Sequence, residues 1–333
     1  MTESIPTAKP VTRFGRDMPV PKVPTNSGKG LRISFIVVVY AMPEQASRTL
    51  HSLSADYQIG VDGSEYEVLV VENRSDQNLS QDKATQYGDN FRYFLRDETA
   101  PTPIHAINFG AGQARGEYVA IMIDGARMLS PGVVANMLSA VNLADEPVIC
   151  VPGYHLGDEL QQFAVQKGYN EKAEAQLMSN IGWPEQGYRL FEICCPSGTS
   201  AGGFFKPIGE SNCLGLRKSL FDQLGGYDTA FTGRGGGMVN LDFYRRAIEF
   251  AGSQLILLLG EGSFHQFHGG ETTGKEGINR EQLIQDITFE YFQLRGKPYT
   301  PPEQRAIFLG AVPDSALRLV SHNADAVVQL NNL

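Results

Sequence analysis

The chain has 333 residues, enough for one large or two modest domains around a substantial core, and its 42% hydrophobic and 20% charged residues are ordinary for a globular protein. A formal net charge of −9 at pH 7 argues against nucleic-acid binding through a broad basic face and leaves room only for a local cationic pocket. No segment approaches the ~20 apolar residues of a membrane span, and the cysteines at 150, 194, 195 and 213 have no spacing that would make a zinc site. Adjacent Cys194 and Cys195 are poor disulfide partners, so reduced structural thiols in a cytoplasmic protein are expected.

Residues 1–29 are rich in Pro, Thr, Ser, Lys and Arg and lack the apolar core of a signal peptide, which makes 1–30 a mobile or loosely docked extension. The β-branched run over 32–40 reads as a first buried strand. Pro43 then suits a first helical position, ahead of Ala46, Leu50 and Leu53 at helical spacing. Residues 67–71 give a second strand, which stops at the polar cluster Glu72-Asn73-Arg74-Ser75-Asp76. A short third strand over 91–95 precedes a helix from about 103 to 115. Residues 119–123 are apolar without a break, as in a strand buried on both faces, and end abruptly in Asp124-Gly125-Ala126-Arg127. Ser130-Pro131 looks like a cap and first-turn proline for a helix carrying Val134, Met137, Leu138 and Val141, and residues 148–151 close the alternation. Such an order implies parallel strands joined by right-handed crossovers, whose carboxyl ends form a ligand-binding edge. Between 153 and 210 the alternation is lost to glycines, aromatics and polar residues, as in surface loops that carry specificity. Beyond it come a short helix over 219–224, a longer one over 242–249, a buried strand over 255–259, a helix from about 279 to 294 and weaker helices after Pro301-Pro302.

Several landmarks recur in a telling order: a strand ending Val38-Val39-Tyr40, then Val70-Val71-Glu72-Asn73 with Ser75-Asp76, and Asn108 with Gly110 before Ala114-Arg115-Gly116-Glu117-Tyr118. Ile123-Asp124-Gly125-Ala126 follows, and then the segment from Asn212 to Phe221 with Gly225-Gly226-Tyr227-Asp228. Over roughly residues 32–270 this order resembles the family 2 glycosyltransferases of the GT-A fold. The resemblance implies a Rossmann-like α/β domain whose mostly parallel central sheet is flanked by helices. It places a nucleotide-binding half at 31–152 and an acceptor-side loop region at 153–272, followed by a C-terminal helical extension at 273–333.

It further implies an inverting hexosyltransferase-like enzyme of the kind used in polysaccharide biosynthesis. The donor would be a UDP- or GDP-linked sugar, the acceptor a glycan or small hydroxyl compound, and the helper a divalent cation, manganese or magnesium; homo-oligomerisation stays open. Tyr40 would stack on the base and Glu72 would accept hydrogen bonds from base or ribose, with Asn73, Asn108, Gly125 and Arg127 also at the donor. Aspartate is usual where Glu72 stands. The Asp-x-Asp metal motif is degenerate, because its third position is Ala126. Asp124 alone offers too few oxygens for a hard cation. The resemblance implies a further ligand from a histidine just after the last core strand, which falls on His265 or His268, a pair beside Gly269-Gly270, with His265 slightly favoured.

Transfer to a hydroxyl needs a base, and the family's acidic pair falls on Val239 and Asn240, neither of which can serve. Asp242 is the nearest carboxylate, with Glu210 and Asp228 as further options, although Asp242 equally suits the first turn of a helix. Arg217 and Lys218 would line the acceptor or simply face solvent. A nucleotidyltransferase would show a Gly-rich phosphate loop with a lysine after the first strand, which Val39-Tyr40-Ala41-Met42-Pro43 lacks. A catalytically degenerate domain that binds nucleotide sugar or glycan without turnover is the alternative.

Overall fold

The computed structural model describes residues 30–206, 208–268 and 277–320. The expected extension over 1–29 and Gly269-Gly270 lie outside them.

The first half alternates as expected: β1 (Ile33–Val39), α1 (Pro43–Ser52), β2 (Tyr66–Asn73), α2 (Gln81–Thr85), β3 (Phe91–Arg96), α3 (Ile104–Gln113), β4 (Tyr118–Met122), β5 (Arg127–Leu129), α4 (Val133–Ala140) and β6 (Glu146–Cys150). β1, β2 and β4 are buried along their whole length, which is why they read as unbroken apolar runs. Pro43 does sit in the first turn of α1. Ser130, however, caps nothing. The N-cap of α4 is Gly132, and the Ser130 hydroxyl instead donates to the buried Glu261 carboxylate and accepts from the Gly262 amide at 2.8 Å.

The 153–210 segment is more regular than its composition suggests. It holds β7 (Gly153–Leu156), α5 (Gln161–Ala164), α6 (Glu171–Ile181) and β8 (Cys194–Pro196). The Asn170 side chain caps α6, accepting from the Lys172 and Ala173 amides. Then follow β9 (Cys213–Arg217), α7 (Lys218–Gln223), α8 (Val239–Glu249), β10 (Ser253–Leu259), β11 (Ser263–His265), α9 (Gly277–Arg295) and β12 (Ile307–Gly310). β12 corrects the expectation of helices alone after residue 300, because it pairs in parallel with β10.

Among the described residues the main sheet runs β12-β10-β6-β9-β4-β1-β2-β3. All its pairings are parallel except those of β9, which lies antiparallel between β4 and β6. The sheet is thus mostly parallel, as the resemblance implies, with β9 its one antiparallel strand among the described residues. α1 and α4 pack on one face, and α3, α7, α8 and α9 on the other. A second sheet, β5-β11-β7-β8, stands beside the carboxyl ends of β1 and β4 and packs on α6 and Phe191. Because β5 and β11 both leave main-sheet strands at that edge, the second sheet brings residues 124–127 and 263–268 together.

Candidate metal centre and ligand edge

Asp124 follows β4 in the tight link to β5. One carboxylate oxygen accepts the Ala126 amide at 3.0 Å and the other accepts Arg127 Nε at 3.0 Å. Burial pushes this carboxyl up, but Arg127, His268 and the Ala126 amide outweigh it and hold the group below its ordinary range. Gly125 is required by packing. A Cβ there would lie 2.9 Å from Val39 Cγ2 and 3.2 Å from the Val38 carbonyl, so the link can pass against β1 only without a side chain. Ala126, the position lacking the motif's second carboxylate, is fully buried in the core.

β11 delivers the histidines. His265 pairs in register with Arg127 of β5 on one side and His155 of β7 on the other. Its Nδ1 meets Gln161 Oε1 at 2.7 Å, while the Gln161 amide donates to the His265 carbonyl at 3.0 Å. A glutamine oxygen can only accept, so Nδ1 carries the proton and Nε2 is left with its lone pair. That Nε2 lies 3.1 Å from Nε2 of His268. Burial, Arg127 and the other histidines keep His265 well below the usual imidazole range. His268 is also lowered, chiefly by burial.

Ligand atoms of Asp124, His265 and His268 all lie within 4.8 Å of one another. Sequence alone left the choice between the two histidines open; the structure brings both to Asp124. The donor set suits a divalent cation. Two nitrogens bound at right angles, each ~2.1 Å from an ion, would stand about 3 Å apart, close to the spacing here. Two neutral imidazoles and one carboxylate fit manganese better than magnesium, which prefers oxygen.

The other expected donor residues divide. Tyr40 follows β1 at this edge with 58% of its surface exposed, and the next residue, Ala41, holds a left-handed φ of 51°. Asn73 ends β2 at the same edge, and its buried Oδ1 finds no hydrogen-bond partner among the described residues. Glu72 is not available as expected. It is wholly buried, and its carboxylate accepts the Leu79 amide at 3.0 Å and the Tyr93 hydroxyl at 2.6 Å, so it closes its own loop. Asn108 is likewise structural, exchanging hydrogen bonds of 2.8 and 2.9 Å with the backbone of Tyr227.

Asp242 also requires correction. It is 2% exposed on α8, and its oxygens accept from Arg246 Nε at 2.8 Å and from Arg295 Nε and Nη2 at 2.6 and 2.8 Å. Two guanidinium groups occupy the carboxylate, which removes it as a base. Asp228 is tied to Arg295 at 2.7 Å. Arg217 and Lys218 sit at the opposite edge, where Arg217 pairs with Tyr118 at the start of β4, so they do not line the site. Gln161 and His155 escaped the sequence reading, since neither falls in a recognisable motif. Burial, and after it Arg127, push the His155 imidazole down to about 4.

The family model for glycosyl transferase family 2 matches residues 34–208, just over half of the chain. Among solved structures, the chain is similar to S. aureus TarS 1-349, with 15% identity, 79% of this chain and 66% of that chain covered, and a TM-score of 0.49. TarS 1-349 in complex with UDP-GlcNAc gives 15% identity, 79% and 67% coverage and 0.49. The complex with UDP gives 14%, 79% and 66%, and 0.48. The chain thus spans about two thirds of the length of these structures. No curated protein matches it significantly. No helix among the described residues is long and apolar enough to cross a membrane.

Proposed function

Because this chain belongs to glycosyl transferase family 2, we propose that it moves a sugar, with inversion, from a UDP- or GDP-linked donor to a hydroxyl of a glycan or smaller acceptor, aided by a divalent cation. The observation that carries this reading is the Asp124, His265 and His268 cluster at the carboxyl edge of the parallel sheet. A cation there would act as a Lewis acid on the diphosphate leaving group. Asp124 and the two imidazoles would hold it, and Gln161 would keep the His265 lone pair directed at it. Arg127 stands beside Asp124 to offset phosphate charge. Tyr40 offers an exposed ring for the base, and Asn73 an unpartnered carbonyl for the nucleoside.

The cation's role is checked by calorimetric titration of UDP and GDP with and without manganese. Manganese should strengthen binding of one nucleotide about 10-fold or more, and Asp124→Ala or His265→Ala should abolish that gain. Equal affinity with and without metal would remove the cation from the reading. Turnover is checked by incubating the chain with a panel of nucleotide sugars and manganese and following nucleotide release.

One observation favours a second reading, a domain that binds nucleotide sugar without turnover: the carboxylate nearest the expected base position, Asp242, is consumed by two arginines. Binding of a donor with no release of nucleotide from any member of the panel would select it.

A further inference from the structure

Sugar transfer to a hydroxyl leaves a proton to be collected, and a carboxylate at the ligand edge is the ordinary collector. Most of the acids there are already spent. Glu72 and Asp242 are saturated as described, and Asp124 belongs to the metal cluster. Glu290 of α9 holds the Gly-rich loop before α8, one oxygen accepting the Thr232 amide at 2.8 Å, the Thr232 hydroxyl at 3.1 Å and the Gly233 amide at 3.1 Å, while the other is buried against Gly233 and Gly237 with no partner among the described residues.

Glu210 differs. It lies three residues before Cys213, the first residue of β9, which pairs with Met122, the last residue of β4. Because β9 is antiparallel to β4, the chain entering β9 and the chain leaving β4 toward Asp124 meet at the same edge from adjacent strands. Glu210 is half-buried there, and its Oε1 accepts from Asn240 Nδ2 at 2.5 Å. The amide is itself fixed: Asn240 is buried, and its Oδ1 accepts the Tyr227 hydroxyl at 2.8 Å. The residues just before Glu210 are anchored as well, since Tyr244 donates to the Ile208 carbonyl at 2.8 Å and Tyr299 to the Gly209 carbonyl at 2.9 Å.

The partner's chemistry matters as much as the geometry. Asp242 faces two guanidinium groups, whose N–H donors take up both of its oxygens and leave none turned to an incoming hydroxyl. Glu210 is oriented by a neutral amide, which fixes its direction without opposing its charge.

We infer that Glu210 is the catalytic base and Asn240 its positioning residue, an inference that rests on the glycosyltransferase reading above. The Glu210 carboxylate accepts the acceptor's hydroxyl proton as that oxygen bonds to the anomeric carbon. The bond from that carbon to the diphosphate oxygen breaks, and its electron pair leaves with the nucleotide. Asn240 thus stands where the sequence resemblance placed an acidic residue, and presents an acid borrowed from the β9 approach.

The test uses the full chain with manganese and the donor from the nucleotide-sugar panel that shows release, water serving as acceptor. Glu210→Gln should lower kcat about 10²- to 10⁴-fold. UDP or GDP affinity and melting temperature should stay as in the unaltered chain. Added formate should restore part of the rate to Glu210→Gln, and Glu210→Asp should retain more activity than the glutamine variant. Asn240→Leu should lower kcat with KM for the donor little changed. Turnover of Glu210→Gln within threefold of the unaltered chain overturns the assignment and leaves the glycosyltransferase reading intact. Parallel loss of nucleotide affinity and turnover, without formate rescue, also overturns it, by showing a structural role. Nucleotide binding by the unaltered chain with no release from any donor overturns both the base assignment and the transfer reading it rests on.

Discussion

Ala126 shows why a motif's missing residue is not always a vacancy. A reader comparing Asp124-Gly125-Ala126 with Asp-x-Asp would restore the second carboxylate, but the position is fully buried in the core that also holds Met42 and Leu129. An aspartate there would be desolvated with no cation to pair it, at a cost of roughly 3 kcal/mol or more. Ala126→Asp should therefore lower stability in urea unfolding by about that amount without tightening manganese binding in calorimetry. Improved metal affinity at unchanged stability would show that the turn can rotate the side chain out of the core. The three residues of the candidate metal cluster were legible as residue types: Asp124 from its place at a strand end, His265 and His268 from their proximity in sequence. What sequence could not supply was the buried environment that fixes their protonation. Gln161, which sets the His265 tautomer from 104 residues away, belongs to no periodic pattern. Glu72 and Asp242 misled for the same reason, since a carboxylate at a strand end or helix start looks alike whether it faces a ligand or is taken up inside the fold, by the Leu79 amide and Tyr93 for Glu72 and by two arginines for Asp242.

At the level of elements, long buried strands declared themselves through continuous apolar runs, and β1, β2 and β4 lie where those runs predict. β9 did not. Its five residues, Cys-Leu-Gly-Leu-Arg, are too short and too plain to separate from a loop, and it runs antiparallel because the chain enters it from the carboxyl edge, coming from the second sheet. α6 carried a readable signal in Asn170 followed by Glu171 and Glu174, outweighed by the aromatic and glycine content around it. The contact between α8 and α9 depends on one such long-range pairing, because Arg295 joins Asp242 and Asp228 while stacking over Phe231. Arg246 still neutralises Asp242 if Arg295 is lost, so the cost of removal falls below the ~3–5 kcal/mol of an uncompensated buried charge. Arg295→Met should destabilise the fold by about 2 kcal/mol in chemical unfolding and leave nucleotide affinity unchanged. A large loss of nucleotide affinity with stability intact would place the arginine at the ligand instead.

Across the whole molecule, the two sheets are joined by a buried acid. Glu261 follows β10 on the way into β11, accepts the Tyr188 hydroxyl at 2.8 Å and the Asn136 amide at 3.1 Å, and takes the Ser130 hydroxyl. None of these partners is a cation, so burial dominates and pushes the Glu261 carboxyl up to about 7 against an ordinary 4.5. Glu174, whose carboxylate accepts the Phe267 amide at 2.8 Å, is raised to about 7 by the same cause. A folded pKa above the unfolded one means that the folded chain binds the proton more tightly. The resulting stability is fully present below pH 4.5 and is lost as pH rises through 7. For Glu261 alone the difference is on the order of 3 kcal/mol across that window. The two carboxyls together should make the fold less resistant to urea at pH 8 than at pH 5.5, once the remaining titrating groups are held in common by comparing variants. Glu261→Gln keeps the shape and stays neutral, so its unfolding midpoint should fall less than that of the unaltered chain between those two values. An equal fall in the variant and the unaltered chain would mean that Glu261 is ionised in the fold and that its three donors, rather than its burial, set its charge.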